Sequence, residues 1–218
     1  MAIPTDYATL KTEVANYLHR SDLSDGDLSS FVQYAEVRLN RKLRLLEQEA
    51  TTSLTLAAAA NSVALPTGWL ETIDVIYNDD KRTIQPQNVR MLNSQKSYDT
   101  TTGRPYLYAT SGGNMLFEIT ADAAYTIDIS YFKKWDIATD DTNWLLSNAP
   151  DAYLYGALLE AKAFTKKAED VSMWSQGLQT AIDDLNQLDN RSRRNATARV
   201  DSALIRGGGR SFDINRGF

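Results

Sequence analysis

The chain has 218 residues, a net charge of −5, 43% hydrophobic residues and 23% charged residues. This composition is ordinary for a globular protein, and no apolar run approaches the roughly 20 residues that a membrane-spanning helix needs, so we expect no membrane association. The chain has no cysteine and one histidine, which excludes disulfides, thiolate chemistry and any metal site that needs two imidazoles. Its first residues lack the basic and apolar stretches of a secretory signal, so we expect the protein to remain where it is made.

Apolar residues at spacings of three and four predict two helices within residues 5–46. The first helix can begin at Thr5, a suitable N-cap, and the second at Asp25 or Asp27, after a run of small and acidic residues. The apolar positions are Tyr7, Leu10, Val14, Tyr17 and Leu18 in the first helix, and Leu28, Phe31, Val32, Ala35, Leu39, Leu43 and Leu46 in the second. The second helix would be about 28 Å long.

A basic stripe lies on the other face of the second predicted helix. It consists of Arg38, Arg41, Lys42 and Arg44. Such a stripe can hold phosphates, but the more usual explanation is solvation together with local pairing with Glu36, Glu47 and Glu49.

Between the helical regions, residues 51–143 alternate with a period of two, which is typical of strands. The predicted strands are 53–56, 62–65, 70–77, 82–85, 106–109, 115–119 and 125–132. Residues 111–114, Ser-Gly-Gly-Asn, predict a hairpin turn, and residues 87–98 are compatible with a short helix. The strands are rich in tyrosine and threonine, which favours a small antiparallel sheet with one packed face and one solvated face.

Helical spacing returns after Pro150. One predicted helix has Tyr153, Leu154, Ala157, Leu158, Ala161 and Phe164 on its apolar face, and the next has Val171, Trp174, Leu178, Ala181, Leu185 and Leu188. The second set alternates spacings of three and four, and such a seam packs against another helix.

These patterns predict an α+β protein with three parts. Residues 1–50 and 144–190 would form one helical bundle from both ends of the chain, 51–143 a small antiparallel β-rich insertion, and 191–218 an extended basic tail. The tail holds seven arginines against two aspartates, a charge of +5, which leaves −10 on residues 1–190. It is either a solvated terminus or a segment that becomes ordered on a partner.

No residue pattern in the chain is typical of a catalytic or metal site, so we predict neither. His19 lies at the end of the first helix, where a histidine more often interacts with the last helical carbonyls than with a catalytic serine. The acidic pairs 79–80, 140–141, 169–170 and 183–184 are adjacent in sequence, and adjacent side chains point in different directions. Gly207-Gly208-Gly209 does not connect a strand to a helix, so it lacks the context of a phosphate-binding loop.

Several short motifs, taken in order, resemble the head-to-tail adaptor proteins of tailed bacteriophages, especially short-tailed ones. They are Tyr7 to Leu10, Tyr17 to Leu23, Ala35 to Arg44, Leu65-Pro66-Thr67-Gly68-Trp69-Leu70-Glu71, Thr102-Gly103-Arg104-Pro105-Tyr106 with the following glycine hairpin, Trp144-Leu145-Leu146, Pro150-Asp151 and Tyr153 to Ala161. Together they cover about residues 5–190. The arginines of the tail match no fixed pattern of the family.

This resemblance implies a structural protein of the virion neck that uses no cofactor. It implies a homo-oligomeric ring, twelvefold in this family, that docks on the portal protein and carries the tail nozzle or tail tube protein, with genomic DNA passing through its lumen. For the tail we predict contacts with the portal or a neighbouring subunit. The predicted contact residues are Arg191, Arg193, Arg194, Arg199, Arg206, Arg210, Phe212, Ile214, Arg216 and Phe218.

Two other function classes remain open from the sequence. A virion-associated cell-wall hydrolase would need two carboxylates about 5–9.5 Å apart in a cleft. A nucleic-acid-binding protein would need the arginine tail and the basic stripe to form one groove.

Overall fold

The computed structural model describes residues 3–98, 101–165 and 171–197. The helices are α1 (Tyr7–Leu18), α2 (Asp25–Lys42), α3 (Val89–Tyr98), α4 (Ile137–Asp140), α5 (Trp144–Asn148), α6 (Pro150–Thr165) and α7 (Val171–Thr197). The strands are β1 (Glu49–Leu56), β2 (Ser62–Ala64), β3 (Trp69–Tyr77), β4 (Gln85–Pro86), β5 (Thr102–Gly103), β6 (Leu107–Ser111), β7 (Asn114–Phe117), β8 (Thr120–Ala121) and β9 (Tyr125–Lys133). The predicted mixture of helices and mainly antiparallel strands is confirmed.

Side-chain caps determine where the first two helices begin. Asp6, rather than the predicted Thr5, caps α1 by accepting a hydrogen bond from the backbone N–H of Thr9 at 2.8 Å. Ser24, rather than an aspartate, caps α2, and Asp27 completes the capping box from the third helical position. His19 ends α1 in the left-handed conformation, with its backbone N–H directed to the last helical carbonyls. The predicted position of His19 at the end of the first helix is therefore confirmed, and the contact with the last carbonyls is made by its backbone.

One apolar core contains residues from α1, α2, α5, α6 and α7. The helices α2 and α6 approach closely where Ala35 faces Gly156, because neither residue has a large side chain. Along α7 the predicted seam is buried from Trp174 to Leu185, but its two ends, Val171 and Leu188, are exposed.

A second core lies beneath the strands. The strand β9 lies between β1 and β3, and both pairings are antiparallel. A second sheet has the order β2-β7-β6-β4, and β5 pairs with β8. The turn between β6 and β7 has positive φ at both Gly112 and Gly113, as a two-residue hairpin loop of type I′ requires, so the predicted hairpin is confirmed. The pairings β4–β6 and β5–β8 are parallel and two residues long, which the sequence did not predict.

Two predicted helix boundaries were wrong. The helix α2 ends at Lys42 rather than near Leu46, since Leu43 adopts an extended conformation while its side chain stays buried. The helix α7 continues to Thr197, so the first seven residues of the predicted extended tail are helical. The remainder of the tail, 198–218, lies outside the described residues. None of the helices in the described ranges is long and apolar enough to cross a membrane.

Candidate assembly surfaces

The end of α7 is attached to the first sheet through a phenylalanine that contacts two arginines. The guanidinium groups of Arg44 and Arg193 each lie 6.0 Å from the centre of the Phe132 ring, in the range of a cation–π contact. Arg44 also forms an ion pair with Glu71 of β3 at 3.0 Å. Residues from the α2 end, β3, β9 and α7 therefore meet at one point, which we call the arginine junction.

Ion pairs hold Arg193 in this junction. Its guanidinium lies 2.6 Å from Asp189, one turn earlier in α7, and 2.9 Å from Glu49 at the start of β1. The hydrogen bond with Asp189 contributes most to raising the pKa of Arg193. The other oxygen of Asp189 accepts a hydrogen bond from the backbone N–H of Leu46 at 2.7 Å. The last turns of α7 are thus held against the subunit by contacts with Leu46 after α2, with β1 and with β9.

The structure separates the residues that we predicted as contacts of the tail. Arg193 is engaged within the subunit, whereas Arg191 is exposed and lines a groove. The side chain of Arg194 and all contact residues from Arg199 onward lie outside what the structure describes. Asp189 and Arg193 were accessible to sequence reasoning as an i, i+4 pair, but Phe132 lies too far away in sequence to be linked to them.

A buried polar network lies where the chain returns from the strands to the helices. Glu36 of α2 accepts hydrogen bonds from the Tyr153 hydroxyl at 2.6 Å and from the backbone N–H of Ile137 at 2.9 Å. Asn143 donates to the Tyr153 hydroxyl at 2.7 Å, and Asn40 both donates to and accepts from the backbone of Trp135. Burial raises the pKa of the Glu36 carboxyl and of the Tyr153 hydroxyl.

This network explains why the predicted local pairing of Glu36 with the basic stripe was wrong. Glu36 points into the core, and Arg38 instead pairs with Glu160 of α6. Arg41 and Lys42 remain exposed at the end of α2. The four cations of the stripe therefore do not share one environment. Only Arg41 and Lys42 are left as exposed cations for the phosphate-binding interpretation.

The outer face of α2 carries two large side chains in contact with solvent. Tyr34 is 64% exposed and Val37 is 51% exposed, and both lie on the same side of the helix as Arg41. An exposed apolar patch with a polar rim is typical of a protein–protein contact. We call this face, defined by Tyr34, Val37 and Arg41, the α2 outer face.

A groove runs between the start of α6 and the middle of α7. Its volume is about 390 Å³. The lining residues are Asn148, Ala149, Asp151, Ala181, Asp184, Leu185, Gln187, Leu188 and Arg191. Leu185 and Leu188 also line a smaller, adjoining apolar depression with Leu46 and Trp144. We call the larger cavity the α7 groove.

Among the strands, Arg104 forms ion pairs with two aspartates. Its guanidinium contacts Asp79 at 2.7 Å and Asp80 at 3.0 Å and lies 3.8 Å from the centre of the Tyr77 ring. Burial raises the pKa of Tyr77 to about 12. The first acidic pair singled out in the sequence is thus bound to arginine, an arrangement that stabilises the turn between β3 and β4.

The carboxylates of the described residues give little support to the hydrolase alternative. Within residues 3–98, 101–165 and 171–197, no group of three or more His, Cys, Asp or Glu side chains is placed to hold a metal ion. Asp151 and Asp184 do line the same α7 groove, but both are exposed. The general acid of a glycosidase commonly lies in a buried, apolar environment, whereas both of these aspartates are exposed.

Comparison with known proteins gives one family. The family model described as SU10 adaptor protein matches residues 5–201, a range that includes every helix and strand described above. No curated protein matches the chain.

Proposed function

This chain belongs to the SU10 adaptor protein family, and from that premise we propose that it forms the ring between the portal and the tail of a tailed bacteriophage. Membership of the family makes it a head-to-tail adaptor, a structural component of a bacteriophage virion. The ring has twelve subunits, docks beneath the portal, carries the tail nozzle or tail tube protein and lets genomic DNA pass through its lumen. The bacteriophage is short-tailed, and the ring lies in the virion neck.

The observation that carries this proposal is the extent of the family match. It begins before α1 and ends beyond α7, so the helices from both ends of the chain and the strands between them all belong to the matched unit. A closed ring needs two different lateral faces, an axial docking surface and a lumen. A helical body from both chain ends, with a β-rich insertion between them, offers these as separate surfaces.

The α2 outer face is the lateral contact with a second copy of the chain. Tyr34 and Val37 supply apolar area, and Arg41 and Lys42 supply positive charge next to it. Residues 1–190 carry a charge of −10, so another copy presents a predominantly acidic surface to these cations. Opposite charge around an apolar centre favours one register of association over others.

The tail arginines contact the portal or a neighbouring subunit. Arginine forms bidentate pairs with carboxylates, and Phe212, Ile214 and Phe218 provide apolar anchors beside those pairs. Ordering such a segment costs conformational entropy, so the gain must come from several contacts made together. Arg193 is the exception, because it already serves the arginine junction within its own subunit.

Assembly on the portal tests the proposal. Native mass spectrometry and negative-stain electron microscopy of the purified protein, alone and mixed with portal rings, should give a monomer or small oligomer alone and a ring of twelve on the portal. A closed ring formed by the protein alone would contradict assembly on the portal. A protein that never joins the portal would contradict the adaptor function.

Two variants locate the contacts. Val37→Asp should prevent ring closure, while Gln176→Asp, at an exposed position of α7 outside the α2 outer face, should not. Deleting residues 198–218 should weaken capture by immobilised portal without changing the circular dichroism of the subunit. If the same deletion instead abolishes salt-sensitive DNA binding and leaves portal capture unchanged, the tail is a nucleic-acid-binding segment.

A further inference from the structure

The α7 groove has the chemistry of a peptide-binding site. Ala149, Ala181, Leu185 and Leu188 make part of its lining apolar. Asp151 and Asp184 add two carboxylates and Arg191 adds one cation, so the lining keeps a net negative charge. Within the described residues, neither carboxylate takes part in a hydrogen bond or ion pair. Its volume of about 390 Å³ lies in the range of specific binding cavities, about 300–1,000 Å³. A matching ligand would be small, part apolar and part cationic.

The last nine residues of the chain have this composition in an ordered pattern. In residues 210–218 the even-numbered positions are Arg210, Phe212, Ile214, Arg216 and Phe218, and the odd-numbered positions are Ser, Asp, Asn and Gly. Alternate residues of an extended segment point to the same side. An extended segment would therefore present all its arginines and large apolar side chains on one face.

The dimensions of groove and segment agree. From Ala181 to Arg191, α7 contributes ten residue steps to the groove, or about 15 Å of helix. Five residues of extended chain cover about the same length. The central five, 212–216, contain Phe212, Ile214 and Arg216, which are enough to fill the cavity and meet a carboxylate.

We propose that the α7 groove binds residues 210–218 of its own chain, with Phe212 and Ile214 against Leu185 and Leu188 and the arginines against Asp151 and Asp184. Arg191 lines the groove and α7 ends at Thr197, about 9 Å further along the helix axis. The twelve residues 198–209 have a root-mean-square span of about 20 Å when flexible, and they include three consecutive glycines. The groove is therefore within reach of its own chain.

Mass action favours the subunit's own segment over that of another copy. A short flexible linker gives an effective concentration in the millimolar range, whereas a second copy in dilute solution is present at micromolar concentration or below. The same residues then have two alternative partners. In the free subunit residues 210–218 bind the α7 groove, and they must leave it before they can bind the portal or a neighbouring subunit.

Engineered disulfides test the inference directly, because the natural chain has no cysteine. The variant Leu188→Cys with Phe212→Cys should form a disulfide within one chain, with the mass of a monomer and a rate independent of protein concentration. The matched control is Leu188→Cys with Asp213→Cys, whose tether differs by one residue but whose second cysteine lies on the opposite face of the segment. We expect the control to react about tenfold more slowly, since disulfide formation depends on closely matched Cβ positions.

A second pair of variants tests the contribution of the groove carboxylates. Asp184→Asn in the first double-cysteine variant should slow disulfide formation severalfold at low salt, while Asp183→Asn should not, because only Asp184 lines the groove. Equal rates for Phe212→Cys and Asp213→Cys would refute the inference, because a segment that merely collides with the groove shows no facial preference. Disulfide-linked dimers in place of monomers would refute it too and identify a second copy as the occupant. None of these measurements involves the portal, so they are independent of the proposed ring.

Discussion

Adding one methyl group at Gly156 tests the contact that joins the helices from the two ends of the chain. A Cβ atom at Gly156 would lie 2.9 Å from the Cβ of Ala35, whereas carbon atoms in contact are normally about 3.5–4.0 Å apart. The helices α2 and α6 must therefore separate by up to about 1 Å. Such overpacking costs about 1–3 kcal/mol, and the better helix propensity of alanine offsets up to about 1 kcal/mol. We expect Gly156→Ala to lower the free energy of unfolding by about 1 kcal/mol.

Gly26 supplies the control for helix propensity. It also lies in a helix, but it is exposed and a Cβ atom there would meet only the Ser24 side chain at 3.6 Å. Gly26→Ala should leave the protein unchanged or stabilise it by up to about 1 kcal/mol. Gly26 lies in the first turn of α2, where alanine gains less than in a helix interior. The difference between the two variants, measured by urea denaturation at equal m-values, therefore gives a lower bound on the overpacking cost of about 1–3 kcal/mol.

A double-mutant cycle decides whether the contact itself is responsible. Ala35→Gly removes the methyl group that the new methyl group of Gly156→Ala would contact. The free energy of unfolding of the double variant should therefore fall by at least about 1 kcal/mol less than the sum of the two single losses. Residues in contact show coupling energies of about 0.5–3 kcal/mol. Additive effects within about 0.5 kcal/mol, together with equal stabilities of Gly156→Ala and Gly26→Ala, would refute the close approach of α2 and α6 at this point.

Three further predictions concern the seam, the buried network and the arginine junction. Leu178→Ala should destabilise the subunit by about 2–5 kcal/mol by opening a cavity in the core, whereas Leu188→Ala, at a position that is 49% exposed, should have a much smaller effect in the same denaturation assay. Burial raises the pKa of Glu36 above its ordinary value of 4.5. The contribution of this carboxyl to stability is therefore complete below about pH 4.5 and is lost as the pH rises through the folded-state pKa. Because glutamine does not titrate, Glu36→Gln should gain stability relative to the natural protein as the pH rises. Arg193→Gln should lower the free energy of unfolding by about 1 kcal/mol at low salt and by less at high salt, because this ion pair is partly solvated.

Each of these predictions has a distinct contrary outcome. Equal losses for Leu178→Ala and Leu188→Ala would place the seam on another face of α7. A stability difference between Glu36→Gln and the natural protein that does not change with pH would mean that the Glu36 carboxyl titrates normally. A salt-independent loss for Arg193→Gln would assign its effect to packing on Phe132 rather than to charge.

The sequence predicts those parts of the fold that depend on local patterns. Alternation identified most of the longer strands, and the glycines at 112 and 113 identified the hairpin because only that turn requires positive φ at both positions. The end of α2 was missed because Leu43 and Leu46 continue the apolar spacing after the helix stops, although only Leu43 is buried. The position of β9 between β1 and β3 depends on pairings between distant residues, for which a single sequence carries no local signal.

The candidate surfaces were predictable only in part for the same reason. Composition identified the C-terminal arginines as one group, but it did not separate Arg193, which is held by Glu49 and Phe132, from Arg191, which is exposed. The exposure of Leu188 was missed because its spacing continues the seam of α7. Periodicity indicates which residues can share a face, whereas the neighbours available to cover that face are set by tertiary packing.

The pairing of Glu49 with Phe132 has a consequence for how such subunits can diversify. Because β1 begins at this pair and β9 ends one residue beyond it, at Lys133, the chain leaves the helices and returns to them across about one strand spacing, about 5 Å. Closing a loop costs only about 0.6 kcal/mol more for each doubling of its length. Insertions, deletions or whole replacements between these two residues can therefore accumulate without moving the helices. The strands from the middle of the chain can thus change in sequence and length when the protein that they contact changes.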